Sequence, residues 1–246
     1  MKNQVKAIIP AAGYATRLYP LTKNQPKQLL RVGSKRMIEH IVHKIEDIPE
    51  IDHIFIVTNA KFYENFKAWA KRFRKRAPIT IINDFTRDDD EKLGAVGDIH
   101  YAVSKFNIDD DVLIIGGDNL FEFSITDMHD QFRRKGSMIA VRDLKDKNRI
   151  KGRFGCVEIN KSRRITDFAE KPQKPKTTLT ATMVYMLRKE HLKELHNIMS
   201  DGSPDNAGEF IRFLSERRKI YSYVFDEPWY DIGSFETLKE VNDIYR

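Results

Sequence analysis

Residues 7–30 read AIIPAAGYATRLYPLTKNQPKQLL, and this stretch decides how the rest of the chain is interpreted. The apolar run Val5–Pro10 predicts a buried strand that is too short to span a membrane. The small residues that follow let backbone N–H groups approach phosphate oxygens, since no branched side chain stands in the way. Arg17 adds a planar set of donors suited to phosphate, and Lys27 adds a second cation after a proline. We therefore predict a nucleoside triphosphate site, although the stretch contains neither the P-loop motif nor the dinucleotide-binding motif.

The same stretch resembles the signature of the sugar-phosphate nucleotidyltransferases (NDP-sugar pyrophosphorylases), G-x-G-T-R-L-x-P-x-T followed by P-K. The matching residues are Gly13, Thr16, Arg17, Leu18, Pro20, Thr22, Pro26 and Lys27. The resemblance implies catalytic roles for Arg17 and Lys27, and we assign the nucleotide contacts in this loop to Ala11, Ala12, Gly13 and Thr16. Ala15 occupies the position of the second glycine, and because alanine is strained at positive φ we expect ordinary dihedrals there. The alternative is a connecting loop whose two cations merely face solvent.

Composition is that of an ordinary globular protein of 246 residues, with 41% hydrophobic and 32% charged residues. That length suits one large α/β domain with a sizeable core. No run is long enough for a transmembrane helix and the N-terminus lacks the features of a signal peptide, so we expect no membrane partner. A single cysteine, Cys156, excludes an internal disulfide and fits a reducing cytoplasm; a buried packing role is expected for it.

A net charge of +7 and a pI near 9.3 raise the question of nucleic-acid binding. Much of the excess lies in residues 67–76, KAWAKRFRKR, where Phe62, Phe66, Trp69 and Phe73 recur at helical spacing. This pattern predicts an amphipathic helix with a basic solvent face and aromatic residues in the core. No nucleic-acid-binding signature accompanies it, so we expect no nucleic-acid partner.

Apolar runs alternate with amphipathic segments, which predicts an α/β, Rossmann-like fold with a mostly parallel mixed sheet and helices on both faces. The predicted strands are 5–10, 54–58, 79–83, 112–115, 138–141, 154–159, 165–169, 180–187 and 220–225. The predicted helices are 36–48, the basic helix around 62–76, 93–106, 189–199, 207–218 and 234–245. We expect a single nucleotidyltransferase domain over 1–246, of the nucleotide-diphospho-sugar transferase type. In it, about 1–120 would be the nucleotide-binding half and about 121–246 the sugar-binding half. The left-handed β-helix that some members of the resembled family append is not expected after the last helix.

Two aspartates are candidate Mg²⁺ ligands. Asp118 follows an apolar strand, where open α/β sheets place ligand-binding groups, and a carboxylate facing phosphates suits a hard cation. It also matches the family's G-D-N, while Trp229-Tyr230-Asp231-Ile232-Gly233 resembles the family's W-x-D-x-G, whose aspartate supplies the second metal contact. The structural alternatives are an Asx turn for Asp118 and a helix cap for Asp231.

The sugar and base contacts rest on shorter matches. Glu170 and Lys171 correspond to the family's E-K-P, whose glutamate binds sugar hydroxyls and whose lysine neutralises the sugar phosphate. Gly155 matches a glycine whose backbone contacts the sugar, and Thr182 lies on the strand that usually reads T-G-x-Y. Met183 replaces that glycine, which predicts a narrowed or reshaped sugar pocket. Two further residues are candidates for nucleotide-base contacts, Gly94 in Leu93-Gly94-Ala95 and Asn83.

The resemblance implies attack by a sugar 1-phosphate oxygen on the α-phosphorus of a nucleoside triphosphate, with pyrophosphate released. We take dTTP or UTP and glucose 1-phosphate as default substrates. Two alternatives remain open at this point: a cytidylyltransferase acting on a non-sugar phosphate such as phosphocholine, and a non-catalytic nucleotide-binding regulatory relative. A homo-oligomer is also left open.

Overall fold

The computed structural model describes residues 4–200, 202 and 207–245. In these ranges the strands are β1 (Val5–Pro10), β2 (Arg31–Val32), β3 (Lys35–Arg36), β4 (Ile51–Thr58), β5 (Ile79–Asn83), β6 (Asp111–Ile115), β7 (Asn119–Phe121), β8 (Met138–Asp143), β9 (Cys156–Ile159), β10 (Ile165–Ala169), β11 (Leu179–Leu187), β12 (Tyr221–Phe225) and β13 (Trp229–Asp231). The α-helices are α1 (Met37–Glu46), α2 (Tyr63–Arg72), α3 (Gly94–Lys105), α4 (Ile125–Lys135), α5 (Lys193–Ser200), α6 (Ala207–Arg217) and α7 (Phe235–Ile244).

One sheet runs through both halves of the chain, in the order β10-β9-β11-β6-β1-β4-β5, with β8 and β12 joined to it through β11. Strand β1 pairs in parallel with β4 and β6, and β5 pairs in parallel with β4. Strand β11 runs antiparallel to β6, which makes the sheet mixed. The predicted fold class, a mostly parallel mixed sheet, is confirmed.

Neighbouring residues of β1 point to opposite faces of the sheet, as the two-residue period of a strand requires. Ile9 belongs to a hydrophobic cluster that includes buried residues of α1, α2, α4 and α7. Ile8 belongs to a second cluster that includes buried residues of α3, α5 and α6. The sheet is therefore covered on both faces, which explains why its central strands read as continuous apolar runs.

The basic segment forms a helix as the sequence predicts, but α2 ends at Arg72, so Arg74, Lys75 and Arg76 lie beyond it. Within and beside α2, Phe62, Phe66 and Trp69 are buried, so the aromatic residues belong to the core. Cys156 is likewise buried, at the start of β9. In the described part of the chain, no helix combines the length and apolarity needed to cross a bilayer.

Several elements differ from the sequence prediction, and the two-residue strands β2 and β3 are among those that were not predicted. Helix α4 was not predicted, because its buried stripe consists only of Ile125, Met128, His129 and Phe132 in an otherwise charged segment. The short strands β7 and β13 were also missed; they form their own two-stranded ribbon. The segment predicted as one helix over 189–199 divides into a 3₁₀ turn at Lys189–His191 and α5.

Candidate active site

A cleft of about 470 Å³ lies where the loops after β1 and β6 meet, at the carboxyl ends of these parallel strands. Nine of the residues predicted from sequence line it: Ala11, Ala12, Gly13, Thr16, Arg17, Lys27, Gly94, Asp118 and Lys171. Residues from distant parts of the chain thus converge at the sheet edge where α/β folds bind ligands.

The loop after β1 differs from the sequence prediction at Ala15. Its dihedrals are φ 49° and ψ 44°, in the left-handed region, so the expectation of ordinary dihedrals was wrong. The carbonyl oxygen of Ala15 accepts hydrogen bonds from the Leu18 amide at 3.0 Å and the Thr22 hydroxyl at 2.8 Å. These contacts hold Ala15 in a left-handed conformation that glycine adopts more readily.

The ammonium group of Lys27 lies 2.6 Å from Oδ2 of Asp118 and also donates to the carbonyl of Ile232 at 3.3 Å. Only 13% of the Lys27 side chain and 28% of the Asp118 side chain are exposed. Burial opposes ionisation of Asp118, but the Lys27 charge together with hydrogen bonds from Lys27 and Asn119 holds the pKa of that carboxyl below its usual range. The lysine predicted to meet phosphate and the aspartate predicted to meet a metal therefore form an ion pair.

The ribbon of β7 and β13 brings Asp231 to Asp118. Asp231 is opposite Asn119 in the ribbon, and the amide of Ile232 donates to the carbonyl of Asp118 at 3.0 Å. Surrounding protein and the negative charge of Asp118 raise the pKa of Asp231 to about 6, even though its side chain is partly open to solvent. The positive charges of Lys27, Arg17 and Arg153 act in the opposite direction.

The two carboxylates fit the donor set of a hard divalent cation. Oxygen ligands suit Mg²⁺, which takes few ligands from protein and the remainder from phosphate and water. No cluster of three or more His, Cys, Asp or Glu side chains in residues 4–200, 202 and 207–245 is arranged for a metal.

Among the residues predicted to bind the sugar phosphate, Lys171 lines the cleft. Its backbone has a positive φ of 43°, and its ammonium group lies 3.7 Å from the Glu170 carboxylate. Burial raises the pKa of Glu170, and the Lys171 charge opposes that rise. A side chain at Gly155 would collide with Phe168, and one at Gly208 would collide with the Glu170 carboxylate. These two glycines therefore make room for the segment that carries Glu170.

Asp231, Gly155 and Glu170 do not line the cleft, and neither do two further predicted contacts, Thr182 and Asn83. The hydroxyl of Thr182 is buried and donates to the carbonyl of Ala140 at 3.1 Å. The side-chain oxygen of Asn83 accepts from the amide of Phe85 at 2.8 Å. Met183, by contrast, does line the cleft, and its sulfur would lie 3.0 Å from a Cβ at Gly116.

Three residues that line the cleft or act on Asp231 were not predicted from the sequence. Gln28, the residue after Lys27, is buried against the cleft, and its side-chain oxygen has no hydrogen-bond partner among the described residues. Asp98 lines the cleft from α3, and Arg153 acts electrostatically on Asp231. Only Asp98 carries a recognisable signal, since it is a carboxylate on the buried face of α3, next to Ile99 and Gly97.

Comparisons with known proteins agree with this architecture. A family model described as nucleotidyl transferase matches residues 6–246. The bifunctional protein GlmU of Methanocaldococcus jannaschii is 25% identical over 239 residues, which cover 96% of this chain and 53% of that protein. The glucose-1-phosphate adenylyltransferase of Bacillus subtilis is 27% identical over 258 residues, which cover 98% of this chain and 67% of that protein. The chain thus spans about half the length of the archaeal relative.

A solved structure from Bacillus anthracis, provisionally assigned as a glucose-1-phosphate thymidylyltransferase and determined with sucrose, has the same fold. The TM-score is 0.84 at 24% identity, with 98% of this chain and 95% of that chain covered.

Proposed function

This chain belongs to the nucleotidyl transferase family, and we propose that it transfers a nucleotidyl group from a nucleoside triphosphate to a sugar 1-phosphate. The observation that carries the proposal is the convergence of Arg17, Lys27 and Lys171 with Asp118 in one cleft. We further propose dTTP or UTP with glucose 1-phosphate as substrates, in line with the thymidylyltransferase assigned to the structural neighbour. The single cysteine favours a reducing compartment, and we propose the cytoplasm.

In the proposed reaction, an oxygen of the sugar 1-phosphate forms a bond to the α-phosphorus, and the bond from that phosphorus to the bridging oxygen of the β-phosphate breaks. Pyrophosphate leaves with the electron pair of that bond. A phosphate monoester is largely dianionic at neutral pH, since its second pKa is about 6, so the nucleophile needs no general base. The obstacle is repulsion between anions, which costs on the order of 4 kcal/mol per pair of charges at about 4 Å and an effective dielectric constant near 20.

The chain's own cations would offset this repulsion. We assign Arg17 and the loop Ala11–Thr16 to the triphosphate and Lys171 to the sugar phosphate. Lys27 contacts the Asp118 carboxylate and also lines the cleft, so it is positioned to exchange one anionic partner for another. Positioning and electrostatic stabilisation would then supply most of the rate.

Asp118 and Asp231 would hold Mg²⁺, as their oxygen donors allow. When bound, such an ion supplies positive charge that stabilises the charge developing on the phosphates. A bound cation would also lower the pKa of Asp231, because its positive charge would oppose the effects of burial and of the Asp118 charge.

The direct test is a matrix of nucleoside triphosphates against sugar 1-phosphates, scored by release of pyrophosphate with Mg²⁺ present. We expect pyrophosphate release only when a nucleoside triphosphate and an acceptor phosphate are both present. The rate should be higher with a sugar 1-phosphate as acceptor than with phosphocholine. A higher rate with CTP and phosphocholine would favour the alternative cytidylyltransferase, and nucleotide binding without release would favour the non-catalytic relative.

A further inference from the structure

Two carboxyl groups meet beneath the cleft, away from the candidate metal ligands. Asp84 follows β5 and is 7% exposed, whereas Asp98 lies in the second turn of α3 and is 4% exposed. The two side chains are in hydrogen-bond contact with each other. Of the two, Asp98 lines the cleft, so a group bound there would meet a buried carboxyl.

The contacts of this pair indicate that it holds one proton. Oδ1 of Asp84 accepts from both the amide and the hydroxyl of Thr86, each at 2.8 Å, as an ionised carboxylate would. Oδ2 of Asp84 and Oδ1 of Asp98 are buried, and the described residues offer neither atom a donor. A proton held between the two groups satisfies both atoms and removes the repulsion of two charges in contact. Burial and the charge of Asp84 raise the pKa of Asp98 well above its usual range, which agrees with this reading.

The sheet order sets the distance between this pair and the phosphate-binding residues. Strand β5 is two strands from β1 and three from β6, or roughly 10 and 14 Å at about 4.8 Å per strand. Arg17 follows β1, and Asp118 follows β6. Helix α3 lines the cleft through Gly94, Ala95 and Asp98, so a triphosphate held at Arg17 and Lys27 has room to extend its nucleoside toward Asp98.

We propose that Asp98 reads the ring edge of the nucleotide base and selects bases with a ring N–H, namely uracil, thymine and guanine. This inference rests on the proposed function and specifies its nucleotide. Because the shared proton lies between Asp98 and Asp84, Asp98 presents an acceptor oxygen to the cleft. A ring N–H donates a hydrogen bond to that oxygen. The unprotonated ring nitrogen of cytosine or adenine is itself an acceptor, so it forms no hydrogen bond with the oxygen and is repelled by it. Turning the proton toward such a base would break the hydrogen bond between the two carboxyl groups and leave their buried oxygens facing each other without a donor, which opposes that binding mode.

The test is equilibrium binding of UTP, dTTP, GTP, CTP and ATP to the full chain by calorimetry, with Mg²⁺ and without sugar phosphate. We expect the wild type to bind the first three roughly 10- to 100-fold more tightly than the last two, the range of one well-made base contact. In Asp98→Ala the ratio should fall close to one, since the acceptor is lost. In Asp98→Asn it should persist, because the amide donates to Asp84 in place of the shared proton and its carbonyl still faces the base.

Asp90→Ala is the matched control, since Asp90 is an exposed carboxylate before α3 that does not line the cleft; its base ratio should equal that of the wild type. Wild-type protein that binds CTP or ATP as tightly as UTP would overturn the inference, as would a folded Asp98→Ala variant with an unchanged ratio. If Asp98→Ala does not fold by circular dichroism, the wild-type panel and Asp98→Asn still decide. Triphosphates bound and turned over without base preference would contradict this inference alone, whereas no binding of any triphosphate would contradict the proposed function as well.

Discussion

Replacing Ala15 by glycine should stabilise the protein, although glycine ordinarily destabilises a folded chain relative to alanine. Ala15 has φ 49° and ψ 44°, and an L-residue in this region costs roughly 1–2 kcal/mol. Glycine has no such cost in this region. It does make the unfolded chain more flexible, however, which lowers the free energy of unfolding by about 0.4–1 kcal/mol. The expected net gain in the free energy of unfolding is about 0.5–1 kcal/mol. At about 2–4 °C per kcal/mol for a chain of this size, the melting temperature should rise by about 1–4 °C.

Urea unfolding followed by tryptophan fluorescence measures this gain, since the chain contains two tryptophans. The matched control is Ala12→Gly in the same loop, where φ is negative and Ala12 is buried. There glycine adds its entropic cost and also removes a buried methyl group, so stability should fall by about 1–2 kcal/mol. If Ala15→Gly destabilises the protein as much as Ala12→Gly, the loop does not adopt the left-handed conformation at Ala15.

Three further substitutions test the site and its support. Lys27→Met should lower pyrophosphate release by roughly 10²-fold or more, as loss of one preorganised charge contact does, and a wild-type rate would refute the assigned role. Asp111→Ala should cost about 3–5 kcal/mol in urea unfolding, because it leaves Arg188, its partner at 2.8 Å, without its carboxylate; a loss below 1 kcal/mol would show that the pair is screened. Gly208→Ala should displace Glu170 and lower kcat/KM for the sugar 1-phosphate by about 10- to 100-fold with an unchanged circular dichroism spectrum. An unchanged kcat/KM would separate Glu170 from sugar binding.

Local signals account for the parts of the fold that the sequence predicts well. Strand β1 was predicted to the residue because its apolar run is bounded by polar residues before it and small residues after it. Helix α4 has too few apolar residues to produce such a signal, although Ser124 caps it by accepting from the Asp127 amide at 3.1 Å. Its helical state depends on packing against β8 and β12, which no local pattern reports.

The site shows the same division between local and long-range information. The loop at Arg17 and the carboxylates Asp118 and Asp231 could be predicted because each lies in a short motif. The ion pair of Lys27 with Asp118 could not, since it joins residues 91 positions apart in the chain. Ala15 was misjudged for a related reason, because the hydrogen bonds that hold its strained backbone come from later residues.

The central claim is that one cleft brings a sugar phosphate against the α-phosphorus of a nucleoside triphosphate. The most direct measurement uses a sugar 1-phosphate labelled with oxygen-18 throughout its phosphate group, followed by mass spectrometry of both products. All of the label should appear in the nucleotide sugar and none in the pyrophosphate, since the labelled oxygen is the attacking atom. Label in the pyrophosphate, or labelled orthophosphate in place of a nucleotide sugar, would contradict the claim.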